Sequence, residues 1–273
     1  MRRLLNLQPR RPLRLALFLA PVAAMLVTYL AFSDARLAEN PQDRLLPAFS
    51  TMGDTLLRMA TEPDRRSGDL LFWLDTGVSL QRLALGVGLG ALTALVLGVA
   101  SGLIPLAGAS LSPLLAIIAM VPPLAILPIL LIAFGVGELA KVMLIAIGVA
   151  PFIARELEGR VRELPREQLI KAQTLGAGTW LTLWYVVLPQ ILPRLFDAIR
   201  LSLGAAWLFL IAAEAIASTE GLGYRIFLMR RYLAMDLILP YVAWMTGLAW
   251  FLDYALRVLN RRLFPWYGAE AGR

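Results

Sequence analysis

Apolar residues in this chain are gathered into six long stretches, and the segments between them hold most of the charges. A helix needs roughly 20 apolar residues to cross a bilayer. The pattern therefore predicts an all-α integral membrane protein with about six spans, of which the third is interrupted by prolines and the fourth is short. The predicted spans are Leu13–Phe32, Leu83–Ile104, Leu111–Phe134, Leu139–Ala154, Leu195–Ala217 and Leu237–Leu256.

A polar interruption covers residues 155–194, where a membrane protein needs only a short loop. Pro165 suits the first position of a helix, because the N–H that it lacks is not needed there. Gly176 is a typical helix stop. Thr179 can cap a second short helix, which should end at Leu188 because a proline follows. The pattern predicts a compact helix-turn-helix of the kind that docks onto another protein.

Basic residues are concentrated before the first span, in the polar stretch and after the last span. Such residues favour the cytoplasmic side of a membrane, and six spans put all three groups on one side. We therefore expect both termini in the cytoplasm, and the formal charge of +7 reflects this topology. The three groups are Arg2, Arg3, Arg10, Arg11 and Arg14; Arg155, Arg160, Arg162, Arg166, Lys171 and Arg194; and Arg257, Arg261, Arg262 and Arg273.

The pattern divides the chain into three parts. Residues 1–33 are predicted to form a cytoplasmic tail and the first span, 34–76 an outer periplasmic segment, and 77–273 the core with its polar loop at 156–190. The first span is interpreted as an uncleaved anchor, since no small-x-small cleavage site follows its long apolar run. In the outer segment, two Leu-rich pieces are predicted to form amphipathic helices on the membrane surface. They are Leu45–Leu57 and Leu70–Leu74.

Composition excludes several classes of function. Hydrophobic residues make up 59% of the chain and mean hydropathy is +0.70, which is too apolar for a soluble domain of this length. Cysteine and histidine are absent, so thiol chemistry, the commonest general base and the commonest metal ligand are missing. No phosphate loop for ATP and no basic groove with stacking aromatics are found. We expect no enzyme, no metal site and no nucleic-acid partner.

The spacing of the polar stretch resembles the cytoplasmic signature of binding-protein-dependent ABC importer permeases. That signature runs Glu-Ala-Ala, three residues, Gly, nine residues, then Ile-x-Leu-Pro. Ala172, Gly176, Leu188 and Pro189 fall at matching positions, with Val186 in place of Ile. The departures are Ile170 and Lys171, which stand where Glu and the first Ala are usual.

Two further blocks resemble the nitrate/sulfonate/taurine-type permeases, and together the likeness covers about Leu83 to the C-terminus. A narrower likeness, to a branch found beside urea- and guanidine-degrading enzymes, is carried by Leu37-Ala-Glu-Asn-Pro41 and Arg230-Arg-Tyr-Leu-Ala-Met-Asp236. Of the two blocks that resemble the nitrate/sulfonate/taurine-type permeases, the first is Pro122-Pro123-Leu-Ala125, Pro128, Phe134-Gly135-Val-Gly137-Glu138 and Lys141. The second is Ala213-Glu214 followed by Gly221-Leu222-Gly223.

The resemblance implies a type I ABC importer permease fold in the bacterial inner membrane. Two copies of the chain, surrounded by membrane lipid, would form the pore, and two ATPase subunits would hold the ATP and Mg²⁺, so this chain would bind no cofactor. A periplasmic binding protein would deliver a small polar nitrogen or sulfur compound, either guanidine- or urea-like or nitrate-, sulfonate- or taurine-like.

The same resemblance makes the polar stretch a coupling helix that receives motion from the ATPase. Because the usual Glu is missing, we expect Glu167, one turn earlier, to supply a polar contact; it also stands four residues before Lys171, in the favourable order for a helical ion pair. The coupling residues are predicted to be Glu167, Lys171, Ala172, Gly176, Ala177, Leu188 and Pro189.

Candidates for the translocation pathway come from unusual residues inside the spans. Prolines 122, 123 and 128 either free backbone carbonyls that line a path or only bend a helix for packing. Trp207 is a further lining candidate, with core or lipid packing as its alternative. Four glycines are instead predicted to permit close helix contact. These residues are Pro122, Pro123 and Pro128, and Gly86, Gly88, Gly90 and Gly98.

Charged residues within spans are costly and therefore candidates for function. Glu214 suits a cationic substrate such as guanidinium; alternatively it pairs with Arg225 near the outer end of span five. Asp197 and Arg200 are predicted to be interfacial anchors that can pair with each other. An ion-coupled carrier that uses Glu214, Asp253 or Lys141 is the alternative function, although no internal repeat supports it.

Overall fold

The computed structural model describes residues 11–40, 43–64 and 68–270. The N-terminal basic residues Arg2, Arg3 and Arg10, together with Pro41 and Arg273, lie outside the described residues. Within them the chain is helical and contains no strand. The helices are α1 (Arg11–Glu39), α2 (Phe49–Thr61), α3 (Leu71–Leu103), α4 (Pro105–Ile118), α5 (Leu127–Phe134), α6 (Glu138–Arg162), α7 (Arg166–Thr174), α8 (Thr179–Thr182), α9 (Leu188–Ala217), α10 (Leu222–Arg230), α11 (Met235–Leu263) and α12 (Pro265–Glu270).

The prediction of an all-α membrane protein is confirmed. Among the described residues, four helices are long and apolar enough to cross a membrane, or five if the bent pair α4–α5 is one span. The four are α1, α3, α11 and the continuous run Thr179–Ala217, which contains α8 and α9. The remaining predicted span lies in α6, which carries charged residues near both of its ends.

The third predicted span is two helices rather than one. Helices α4 and α5 meet at an angle of 84°, across a break that contains Pro122 and a short 3-10 turn, Pro123–Ile126. Prolines have no N–H to continue a helical ladder, and two in succession end α4. Pro128 stands in the first turn of α5, where this lack is tolerated. The segment is therefore a broken span or a re-entrant loop.

A stripe of glycines brings α3 and α6 into close contact. A Cβ atom added at any of four glycines on α3 would lie 2.6 Å from an atom of α6, so only glycine allows this approach. Ala94, fully buried, continues the stripe at the same four-residue spacing. The prediction is confirmed for three of the four predicted glycines, whereas Gly88 faces open space. The four contact glycines are Gly86, Gly90, Gly98 and Gly102.

Helix α1 lies outside the bundle and is almost wholly exposed. The segment after α1 contacts this helix through a hydrogen bond from the Tyr29 hydroxyl to the Pro47 carbonyl. The prediction of a helix near Leu45–Leu57 is confirmed by α2. Helix α2 packs on α11, where the Thr55 hydroxyl donates to the Asp236 carboxylate at 3.1 Å. The predicted separate helix at Leu70–Leu74 is wrong: Leu71 begins α3, so the predicted boundary between residues 76 and 77 falls inside that helix.

We predict that Gly98→Ala destabilises the fold by about 1–3 kcal/mol, because its Cβ would meet the Ala154 carbonyl oxygen and force α3 away from α6. The matched control is Gly88→Ala, which has no atom within 4 Å and should raise or preserve stability. Thermal unfolding of the purified chain in detergent compares the two. Equal unfolding temperatures would show that this contact does not depend on glycine.

Candidate functional site

The helix-turn-helix predicted between the fourth and fifth spans begins with α7, at what we call the α7 end of the bundle. The turn after α7 is a Schellman motif: the N–H of Ala177 donates to the Ala172 carbonyl at 2.9 Å, and the N–H of Gly176 donates to Gln173 at 2.9 Å. Gly176 has φ +84°, a left-handed conformation that favours glycine. The predicted stop is therefore correct in position and in cause.

The second helix differs from the prediction, because it does not end at Leu188. A π-helical segment, Leu183–Val187, joins α8 to α9, and the N–H of Leu188 donates to the Leu183 carbonyl. This wider turn lets the helix continue through Pro189, which lies in the first turn of α9. The residue before α8 is Gly178, so Thr179 does not cap it.

The predicted coupling residues differ in their exposure. Glu167, Lys171 and Gly176 are exposed, and Glu167 forms no ion pair with Lys171 in the described chain. The others are half-buried, because they hold the turn and its junction with α9. These half-buried residues are Ala172, Ala177, Leu188 and Pro189.

Large apolar side chains that the sequence analysis did not single out surround this turn. Leu175 is 87% exposed and Trp180 is 72% exposed, and both Trp184 and Tyr185 are exposed as well. Large exposed apolar patches mark contact with another protein or with the membrane. We call α7, its turn and these four side chains the coupling surface.

At the opposite end, Glu214 is fully buried inside the bundle. Its carboxylate accepts bonds from the Ser79 hydroxyl at 2.8 Å and from the Arg82 guanidinium at 2.8 Å. The N–H of Gly223 donates to it at 2.8 Å. Two of these bonds come from α3 and one from the start of α10, so Glu214 joins α9 to both.

Arg82 extends these contacts to helix α6. Its side chain, 5% exposed, donates to both carboxylate oxygens of Glu138 on α6, with Nη2 at 2.7 Å. Lys141 lies one turn along α6 and binds the same carboxylate at 2.8 Å. Arg82 also donates to the Glu220 carbonyl at 2.9 Å. One guanidinium therefore holds α3, α6 and the α9–α10 connection together.

A second ion pair lies beside the first. Asp75, one turn before Ser79 on α3, accepts from Arg225 at 2.7 Å and from the N–H of Gly221 at 2.8 Å. The alternative pairing of Glu214 with Arg225 is therefore wrong, because Arg225 binds Asp75. Gly221 has φ +116°, and a Cβ there would lie 2.4 Å from the Glu214 carboxylate.

We call this group of six charged side chains and Ser79 the polar cluster. Three acids and three bases compose it, so the cluster is neutral in itself. A carboxylate is buried at moderate cost only when it is paired and hydrogen-bonded, and here every buried acid meets that condition. The acids are Asp75, Glu138 and Glu214, and the bases are Arg82, Lys141 and Arg225.

Comparison with known proteins agrees with this architecture. The family model described as "Binding-protein-dependent transport system inner membrane component" matches residues 86–267. The chain belongs to this family. It is a membrane permease subunit of an ABC importer rather than an enzyme, and its family works with an ATPase and a binding protein.

Relatives and solved structures place it more closely. It is 36% identical over 200 residues to the taurine transport system permease protein TauC of Escherichia coli (strain K12), covering 73% of each chain. It is 32% identical over 207 residues to the putative aliphatic sulfonates transport permease protein SsuC of Bacillus subtilis (strain 168), covering 76% and 74%. The predicted nitrate/sulfonate/taurine-type family is confirmed.

The fold is similar to a chain of the MetNI methionine ABC transporter in inward-facing conformations. The TM-score is 0.62 at 22% identity, over 70% of this chain and 95% of that one. A chain from the crystal structure of an amino acid ABC transporter with histidines gives a TM-score of 0.54 at 19% identity, over 71% and 93%. The type I importer permease fold is confirmed.

The predicted pathway residues of this permease differ in how far they are exposed. Pro122 and Pro128 are exposed and Pro123 is half-buried. Trp207 is 6% exposed, and its indole N–H has no partner among the described residues. Glu214 is sealed within one chain, and a second copy can only lower exposure further. In this conformation neither Trp207 nor Glu214 is open to a path between copies.

Three of the seven residues of the polar cluster, Asp75, Ser79 and Arg82, were not predicted from the sequence. A signal was present, because residues 75, 79 and 82 share one face of a helix. The predicted span began only at Leu83, so all three residues stood before it and were not assigned to a membrane helix. The structure shows that α3 starts earlier, at Leu71, and carries them into the bundle.

We predict that Glu214→Gln destabilises the permease by on the order of 3 kcal/mol, because it removes one charge from a buried ion pair. The control is Glu220→Gln, since that residue is exposed and contributes its backbone carbonyl to Arg82. Thermal unfolding in detergent should show a lower midpoint for the first variant alone. Similar midpoints would mean that the pair adds nothing to stability.

Proposed function

We propose that two copies of this permease form the translocation pathway of an importer powered by two ATPase subunits. The coupling surface faces the cytoplasm and docks on the ATPases, and both termini lie on the same side. A periplasmic binding protein delivers substrate at the end that carries the polar cluster. ATP and Mg²⁺ bind to the ATPase subunits, and this chain holds no cofactor of its own.

The observation that carries this proposal is one continuous helical run that joins the coupling surface to the polar cluster. The helical run Thr179–Ala217 starts in the coupling surface and ends three residues beyond Glu214. A push on Trp180 therefore acts on a single helix that reaches the opposite end. Because the ion pairs of Arg82 tie this helix to α3 and α6, all three move together. This arrangement supports alternating access by rigid-body motion.

The pathway is proposed to lie between the two copies, beside the broken α4–α5 segment. Pro122 and Pro128 are exposed there, and a broken helix within a membrane is stable only where protein or a water-filled cavity satisfies its backbone groups. Trp207 and Glu214 are sealed in this conformation, so we assign them to positioning rather than to contact with substrate.

The carrier alternative is not favoured, because its relay groups already have partners. Glu214 is bound by Arg82, and Lys141 is bound by Glu138. Asp253 accepts from Arg200 at 2.8 Å and from Arg257 at 2.7 Å. A proton or sodium relay needs a carboxylate that can change its charge state within a path. None of these three groups is placed for that task.

For the substrate we propose a small oxyanion-bearing compound, of the sulfonate class. The relatives named for taurine and for aliphatic sulfonates support this choice, as does the bicarbonate transport system permease protein CmpB of Synechococcus elongatus, 36% identical over 156 residues, which are 56% of this chain. The guanidinium hypothesis required Glu214 as a free counter-charge. Arg82 occupies that carboxylate, which removes the main argument for a cationic substrate.

We predict that Gly176→Val impairs coupling, because a β-branched residue is strained at φ +84°. A strain of about 1–2 kcal/mol shifts the turn's conformational equilibrium by about tenfold. ATP-driven uptake into proteoliposomes that contain the permease, its ATPase and its binding protein should fall, while membrane insertion persists.

The matched control is Gly178→Val, two residues away. Gly178 has an extended backbone and no atom within 4 Å of a built Cβ, so valine fits there without strain. Uptake should stay near the unmodified value. Normal uptake by the Gly176 variant would remove this turn from the mechanism and with it our account of the coupling surface.

The substrate class is tested by competition in the same proteoliposomes. Uptake of radiolabelled taurine should be ATP-dependent, and excess ethanesulfonate should inhibit it, whereas excess guanidinium should not. Stronger inhibition by guanidinium than by ethanesulfonate would reverse the assignment. Uptake that persists without ATP would contradict the importer mechanism itself.

A further inference from the structure

A polar cavity of about 650 Å³ lies at the α7 end, apart from the coupling surface. It is bounded by α9 near Asp197 and Arg200, by the last turns of α11 and by the short helix α12. Its walls combine three guanidinium groups with an amide and two aromatic rings. The lining residues include Arg200, Arg257, Arg261, Asn260, Phe264 and Tyr267.

The cavity has a fixed wall around Asp197, which also lines it. The Tyr267 hydroxyl donates to the Asp197 carboxylate at 2.8 Å, and Arg200 donates to it at 3.2 Å, which confirms the predicted pairing of Asp197 with Arg200. Burial, together with the bond to this carboxylate, raises the pKa of Tyr267, so it stays a neutral donor. Arg194 lies over the Tyr267 ring at 4.8 Å and holds it in place.

Positive charge is in excess at this site. Arg200 is neutralised by Asp197 and Asp253, and Arg257 shares Asp253 through one nitrogen at 2.7 Å. Arg261 has no ion-pair partner anywhere in the described chain. A guanidinium has five N–H donors, so Arg257 and Arg261 together keep most of theirs for a ligand. The site suits an anion with several acceptor oxygens.

The position of the cavity relative to the membrane surface follows from aromatic residues on α11. Trp250 and Tyr254 on α11 are 68% and 51% exposed, and their rings stack at 5.8 Å between centroids. Exposed Trp and Tyr residues mark the level of the lipid headgroups. At about 1.5 Å per residue, Arg257 lies about 5 Å beyond Tyr254, and Arg261 lies about 10 Å beyond it. Both guanidinium groups can therefore reach the lipid phosphates.

We propose that this cavity binds the phosphate of an anionic phospholipid headgroup, with Arg257 and Arg261 as its donors and Phe264 as its apolar wall. Basic pockets between membrane helices are suited to such headgroups. The lipid would bridge α11 and α12 beside the start of α9, the helix that we propose to transmit motion. The inference requires only that α11 crosses the membrane, so it stands independently of the proposed coupling mechanism.

The test uses the purified full-length chain, stripped of lipid in detergent. Dioctanoyl phosphatidylglycerol is titrated while the thermal unfolding midpoint is followed, and dioctanoyl phosphatidylcholine serves as the neutral lipid with the same acyl chains. We expect saturable stabilisation by phosphatidylglycerol and little by phosphatidylcholine. Glycerol 3-phosphate and inorganic phosphate, added separately, distinguish a lipid from a soluble phosphate.

The decisive variant is Arg261→Gln, with Arg262→Gln as its matched control. Both remove one exposed charge from adjacent positions, but only Arg261 lines the cavity. The apparent affinity for phosphatidylglycerol should fall about tenfold in the first variant and stay unchanged in the second, as expected for loss of one charge-assisted contact.

Three results would overturn the proposal. Equal affinity in both variants would place the lipid elsewhere, and equal stabilisation by both lipids would show that charge is not recognised. Stabilisation by soluble phosphates at the same concentrations would assign the site to a free ligand instead of a lipid. None of these outcomes bears on ATP-driven uptake, which is measured in a separate preparation.

Discussion

The architecture of this permease depends on a single buried ion pair, between Arg82 and Glu214. Removing a carboxylate from water costs several kcal/mol, and the cost is offset only by a close and well-bonded counter-charge. The guanidinium that supplies it also binds Glu138, so one side chain serves α3, α6 and α9 at once. These helices cannot separate at this end without exposing or unpairing a charge. The ion pair therefore makes three spans behave as one body.

The close packing of α3 on α6 serves the same purpose along the length of the bundle. The glycine stripe brings the backbone of α3 against α6 at four positions, where an added Cβ atom would clash. Packing of this kind resists sliding, because each step out of register meets a side chain. The coupling surface is different in character, since its large apolar side chains are exposed and its helix widens into a π turn. This contrast fits the proposal that motion begins at the coupling surface and is carried along the packed helices.

Prediction from the sequence succeeded where the determining physics is local. Apolar length located the spans, and the need for a left-handed residue located the turn at Gly176. Prediction failed where contacts between residues far apart in the sequence determine the structure. Nothing in the sequence around Leu188 indicates a π turn, which exists because the helix continues into a packed bundle despite Pro189. The partner of Glu214 lies 132 residues away, and helical periodicity shows which residues share a face but not which helix that face meets.

The neutrality of the polar cluster also bears on how substrate is chosen. A fixed charge in the path would attract an oppositely charged solute, but a site that binds strongly also releases slowly, and passage requires that the solute can leave. Here the buried acids are all held by bases, so they offer little net attraction to a passing solute. In the proposed importer, selection then falls to the binding protein, and the energy for transport comes from the ATPase. Such an importer requires a pore that binds the solute weakly and helices that are stiff.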